Sequence, residues 1–262
     1  HGNAHAGTGA YFVIEADEYD HMFLGLKPHL VILTNVEYDH PDCYPTREEY
    51  HAAFMEFVNR IQPGGTLVTN ADQDGAFSAV ESLPQGVNFS TYGLSKSADF
   101  HAENLALNQV GGLSFSLFHK TTPLAEVALM VPGEHNVRNA LAVLTASHRL
   151  GFSMKEAAAA LSTFSGTGRR FDVIGDVHGI TIIDDYAHHP SKIKATLSAA
   201  RLRYPGRRIV AVWQPHTYSR TRVLEADFVD SLQLVIEQPY SLAPQIPLEN
   251  IPGPPPVPRG IL

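Results

Sequence analysis

Between residues 30 and 69 the chain sets an apolar run, an amphipathic run and a second apolar run in order, which leaves few folds open. "LVIL" (30–33) reads as a buried strand. "TREEYHAAFMEFVNRI" (46–61) places Tyr50, Ala53, Phe54, Phe57, Val58 and Ile61 at helical spacing. Thr46 is its expected N-cap, and Glu49 completes a capping box. "GGT" then leads into "LVT" (67–69). Strands joined through a crossover helix run parallel, so a parallel sheet is predicted. "YFVI" (11–14) predicts another buried strand ahead of them.

From residue 87 to 131 the pattern changes. "VNFSTYG", "DFHAENLAL", "GLSFSLFHK" and "PLAEVALMV" are short, partly alternating and broken by Gly or Asn, which predicts a small antiparallel meander. Helices are predicted over 136–150 and over "SMKEAAAALSTF", with Ser153 as cap and Glu156 as its partner. "SGTGRR" (165–170) is the expected domain boundary, Gly-rich between a finished helix and a new strand pattern. Beyond it, "ITIIDDYAHHP", "SKIKATLSAARLRY" and "RIVAVWQPH" predict a second strand–helix–strand unit, short of a full doubly wound domain. The expected class is α/β. Residues 1–165 form a central parallel-sheet domain with its meander, 166–238 a truncated Rossmann-like domain, and 239–262 a proline-rich irregular tail.

A formal charge of −8 argues against sequence-independent nucleic-acid binding, which needs a basic face. No apolar run approaches the ~18 residues of a membrane span, so no membrane insertion is expected. No export signal opens the chain. Cys43 is the one cysteine, which rules out an internal disulfide and fits a cytoplasmic location. The 14 histidines are scattered, with no HExxH and no zinc spacing. The opening "HGNAHAG" and the proline-rich close both read as cut ends.

In open α/β sheets ligands collect beyond the carboxyl ends of strands. Four polar clusters are expected there: Glu15/Asp17/Glu18, Glu37/Asp39/His40, Asp184/Asp185/Tyr186/His188/His189, and Gln214/His216. Glu15 suits a hard cation such as Mg²⁺, which takes one or two carboxylates and keeps waters and phosphates for the rest; a surface glutamate is the plainer reading. His40 by itself reads as a structural hydrogen-bonder, with Asp39 orienting its ring. Asn136 and Asn139 project from one face of a helix start, where amides meet a base edge or a phosphate; a simple N-cap explains only Asn136. The arginines of "GRRFD" suit a phosphoryl clamp or a solvated edge. Asp184 and Asp185 alternate, so one faces inward while the other stays wet. Arg220 and Arg222, read as a helix start, oppose the helix dipole, which favours a carboxylate-binding role over a structural one.

Taken in order, "EADEYD", "TNVEYDH", "GEHNVRNA", "GTGRRFD", "DDYAHHP" and "QPHTYSRT" resemble the Mur ligases over residues 3 to 232. The stretch is most similar to the members that join L-alanine to UDP-N-acetylmuramate. The resemblance implies an ATP-dependent amide-bond former of peptidoglycan synthesis, and it makes the first domain the ATPase-type centre. It implies an acyl phosphate formed from ATP, then attack by the amine of L-alanine, with positioning and charge stabilisation supplying most of the catalysis. By position it assigns Mg²⁺ (or Mn²⁺) to Glu15 and His40, and the nucleotide to Asn136, Asn139, Arg170 and Asp185. Glu15, His40, Arg170 and Asp185 make up the implied catalytic set. It assigns L-alanine to Tyr186, His188, His216 and Arg220. The phosphate-cradling G-x-x-G-K-[ST] loop is absent from these residues, and Thr217 stands where some relatives carry arginine. The 262 residues alone are therefore expected to be inactive. A muropeptide-recycling ligase and a non-catalytic nucleotide-binding remnant are the alternatives.

Overall fold

The structure is a computed structural model that describes residues 4–236; the expected proline-rich tail at 239–262 lies outside the described residues. The first lobe is a six-stranded sheet in sequence order. Its strands are β1 (Leu30–Leu33), β2 (Thr66–Asn70), β3 (Asn88–Gly93), β4 (Phe100–Leu107), β5 (Leu113–His119) and β6 (Thr122–Ala128). β1 to β4 pair parallel, and β4, β5 and β6 pair antiparallel. The predicted meander is thus smaller than its sequence suggests, since "VNFSTYG" joins the parallel part as β3.

Helix α1 (Arg47–Val58) crosses from β1 to β2, and Thr46 caps it by accepting the Glu49 amide. A single turn, α2 (Asp74–Phe77), follows β2, and α3 (Glu134–Arg149) and α4 (Met154–Leu161) complete the lobe. β2 is buried along its whole length, as expected of a strand covered on both faces. Leu67 joins Tyr50, Phe57 and Val58 of α1 on one side, while Val68 joins Leu141 and Leu144 of α3 on the other. Successive strand residues face opposite ways, so two adjacent residues anchor two cores. Gly93 matters for a different reason. A Cβ there would lie 2.6 Å from an Asp72 carboxylate oxygen, and that carboxylate receives Leu94 N–H, Ser95 N–H and Arg138 Nε–H.

The second lobe holds β7 (Asp172–Val177) and β8 (Ile180–Asp184), then α5 (Pro190–Arg203), α6 (Tyr218–Val223) and α7 (Glu225–Ile236). β7 and β8 form an antiparallel hairpin, which replaces the predicted second parallel unit. "RIVAVWQPH" forms no strand; Val210 and Val212 are exposed while Trp213 stacks on Phe228. "YFVI" also fails as a buried strand, with Phe12 89% and Val13 91% exposed. An apolar run becomes a strand only where a neighbour completes its hydrogen-bond ladder, and among the described residues neither segment has one.

Deleting the Leu141 side chain tests the first-lobe core. Leu141→Ala is expected to cost about 2–5 kcal/mol in denaturant unfolding, and Val143→Ala, on the exposed side of the same helix, within roughly 0.5 kcal/mol.

Candidate active site

The loop after β1 (residues 34–43) carries the densest polar chemistry. His40 adopts a left-handed backbone, φ 56°. Asp39, 6% exposed, accepts the His40 amide on Oδ1 at 2.7 Å. The same oxygen accepts Arg220 Nε–H from the second lobe at 2.5 Å. Arg220 is 4% exposed, and its Nη1 donates to the His216 carbonyl at 2.8 Å. Burial raises the Asp39 pKa, but the hydrogen bonds from Arg220 and the His40 amide, with the Arg220 charge, outweigh it and hold the carboxyl below its usual range.

Glu18, from the irregular segment before β1, holds the His40 ring, Oε1 to Nε2 at 3.4 Å. This hydrogen bond raises the His40 pKa against the opposing effect of burial, and Asp39 adds to the rise. Reciprocally, His40 lowers Glu18. The expected ring-orienting role of Asp39 therefore passes to Glu18; Asp39 lies 3.8 Å from Nε2 and spends its closer bonds elsewhere.

Two further bonds cross between the lobes. Ser191 donates to Glu37, and His189 Nε2 meets the Tyr38 carbonyl at 3.2 Å. His189 is 7% exposed, while its neighbour His188 turns toward Tyr186 and His216, ring centroids 4.8 and 6.5 Å away. The alternation anticipated for Asp184 and Asp185 applies equally to this histidine pair. Burial lowers the His188 pKa.

Asp185 ties two chain segments together. Its oxygens accept Phe171 N–H and Ala187 N–H, each at 2.8 Å, while Tyr186 N–H meets the Arg169 carbonyl at 2.8 Å. These bonds hold Arg169 and Phe171 in left-handed conformations at φ 60° and 49°. Arg169 and Arg170 then sit over the Tyr186 ring, Cζ to centroid 4.8 and 5.8 Å. Asp184 stays wetter and pairs with Arg169.

The structure brings eight polar residues into a continuous run of contacts: Glu18, His40, Asp39, Arg220, His216, His188, Tyr186 and Arg170. Other anticipated residues stay apart. Glu15 is exposed and makes no hydrogen bond or ion pair among the described residues. Asn136 donates back to the Pro132 carbonyl at 2.7 Å, and Asn139 reaches Asn136 at 3.5 Å. The two amides do share a face, but Gly133, not Asn136, caps α3. His135 beside them is pushed to lower pKa by burial, with Asp185 opposing and Arg138 and Arg170 assisting.

Two expectations need correction. Only the clusters after β1 and β8 lie at strand ends, because residues 11–14 and 208–213 are not strands. Arg220 and Arg222 lie in the last turn of α6, where the dipole favours cations. Arg220 is set apart instead by its burial and its partner. What sequence reasoning did not single out, Glu18 as ring partner and Ser191 as the partner of Glu37, are contacts between polar groups far apart along the chain.

No group of three or more His, Cys, Asp or Glu among the described residues could hold a metal. Glu15 offers one carboxylate and His40 one imidazole. That donor set does not cage an ion, and it fits only a Mg²⁺ that takes most of its ligands from water and phosphate. No helix among the described residues is long and apolar enough to cross a membrane.

Residues 3–147 match the Mur ligase middle domain, and residues 169–252 match the Mur ligase glutamate ligase domain. The UDP-N-acetylmuramate–L-alanine ligase of Agathobacter rectalis is 41% identical over 89% of this chain and 50% of its own length. That of Acidothermus cellulolyticus is 44% identical over 90% of this chain and 49% of its own. The crystal structure of the UDP-N-acetylmuramate–alanine ligase of Thermotoga maritima superposes with TM-score 0.64 at 28% identity, covering 82% of this chain and 46% of that one. The chain spans about half the length of the curated relatives it matches.

The His40–Glu18 contact has a pH signature. A raised pKa means that His40 stabilises the fold fully below its ordinary 6.5, and that this contribution fades as pH climbs through the raised value. In metal-free buffer the ring resonances of His40 are expected to titrate above 6.5, and Glu18→Gln to bring the midpoint down.

Proposed function

The chain belongs to the Mur ligase family, and from that premise we propose that the protein joins L-alanine to UDP-N-acetylmuramate in an ATP-driven amide synthesis of peptidoglycan assembly. The observation that carries this reading is the seam between the lobes. There the loop bearing His40 meets Arg220, in the same "QPHTYSR" stretch that resembles the alanine-adding members. The relatives that match most of this chain at 41% and 44% identity bear the name of that reaction.

In this reading residues 1–165 are the ATP-binding centre and 166–238 an incomplete amino-acid-binding domain, working in the cytoplasm. Asn136, Asn139 and Asp185 take the nucleotide, and Arg170 compensates charge on its phosphates across the lobes. Glu15 and His40 would hold Mg²⁺, which supplies charge neutralisation at the transferring phosphoryl group. The carboxylate of the sugar accepts that group, and the amine of alanine displaces phosphate. Tyr186, His188 and His216 border the incoming amino acid. Arg220 uses Nε and Nη1 for Asp39 and His216, while Nη2 makes no hydrogen bond among the described residues. That edge suits the carboxylate of alanine.

Phosphate release from ATP, measured with Mg²⁺, UDP-N-acetylmuramate and L-alanine, tests the reading. A protein carrying this chain at the length of its relatives is expected to be active with alanine and poor with a tripeptide; the reverse preference would make it a recycling ligase. The 262 residues alone, without a phosphate loop, are expected to release no more than their Glu15→Ala variant. In the active protein Arg220→Ala is expected to raise KM for L-alanine roughly tenfold or more, as a charged hydrogen bond is worth about 1.5–3 kcal/mol, and to move KM for ATP far less.

A further inference from the structure

The two lobes share no apolar core. Each of the four buried clusters has its members within one lobe: two gather on the faces of the six-stranded sheet, and two gather around α5 and the segments packed on it. What crosses beside the loop after β1 is polar, and Asp39 with Arg220 is its most buried pair. Asp39 also receives the His40 amide on the same oxygen, so one carboxylate fixes the backbone on one side and a guanidinium on the other.

We infer that Asp39 is a positioning residue: through Arg220 it draws the second lobe onto the first and sets the direction in which the guanidinium offers its remaining N–H groups. This rests on the reading that Arg220 holds the amino-acid carboxylate. The geometry supports it in three ways. The contact is Nε alone, which leaves Nη2 for a ligand. The His216 carbonyl holds Nη1, so the guanidinium plane is fixed at two points. Both partners are nearly out of water, so removal of either charge strands the other in a low-dielectric site. Asp39 touches no substrate in this scheme.

The chain carries its own probes. Cys43, its one cysteine, is free and partly exposed in the first lobe, and Trp213, its one tryptophan, is in the second. With a thiol-reactive acceptor on Cys43, energy transfer from Trp213 reports how close the lobes are. Asp39→Asn is expected to lower the transfer, Arg220→Met to lower it equally, and the double variant to lower it no further, since the two act as one unit. Circular dichroism checks folding. A variant that loses its helical signal is replaced by Arg220→Lys, which keeps the charge but lacks the Nε contact and is expected to lower the transfer too. Unchanged transfer in folded variants, or additive losses in the double variant, would overturn the inference.

In the active protein Asp39→Asn is also expected to raise KM for L-alanine about tenfold, with no further rise on adding Arg220→Ala. An unchanged KM alongside a strong Arg220→Ala effect would overturn the positioning role and leave the ligase reading standing. Absence of alanine-dependent phosphate release from the protein at the length of its relatives, without substitutions, would sink the ligase reading; the energy-transfer result would then decide whether Asp39 holds the lobes together.

Discussion

An aspartate and an arginine, 6% and 4% exposed, meet at 2.5 Å across the two lobes. A buried pair of this kind adds little over an apolar contact of the same shape, because desolvation cancels much of the attraction. Its force lies in the cost of removing one partner, about 3–5 kcal/mol when the other charge is left buried and unpaired. With the apolar clusters confined to single lobes, this bond is one of the polar contacts that fix how the lobes meet. The Glu37–Ser191 and His189–Tyr38 bonds then complete the register on the same short loop.

The polar groups of the site follow from this constraint. A loop that leaves β1 with Glu37, Asp39 and His40 in four residues carries two carboxylates that would repel each other if both faced one cavity. Here Glu37 goes to Ser191, Asp39 to Arg220, and the His40 ring to Glu18. Each charge has a partner from a distant segment. On the other side of the seam the pattern repeats: Asp185 staples the turn that bears Arg169 and Arg170, and Tyr186 lies beneath both guanidinium groups.

Much of the first lobe was legible in the chain. The α1 pattern, its Thr46 cap and the strands either side follow from local periodicity and capping, which act over a few residues. The meander was legible except for β3, whose parallel pairing depends on where β2 and β4 lie. Residues 11–14 and 208–213 read as strands because they are apolar and β-branched or aromatic. They are irregular because a strand is a property of a pair of segments, and the partner is not local. The candidate site divides the same way. His40, Arg220, His188, His216 and Tyr186 stood out by residue type and order. The role of Glu18 and the Asp39–Arg220 bond did not, since residues 39 and 220 are unrelated by any sequence spacing.

The sequence by itself determined helices α1, α4 and α5, the Thr46 and Ser153 caps, the strand β2 and membership in a family whose motifs recur in order. These depend on short-range steric and hydrogen-bonding preferences, or on residue identities that need no coordinates. Only the tertiary structure decided which charge neutralises which, that the second lobe opens with an antiparallel hairpin, and that Glu15 lies outside the contact run that contains His40. Electrostatic and ladder partners are chosen by distance in space, and a chain folded into two lobes brings together residues that no local rule connects.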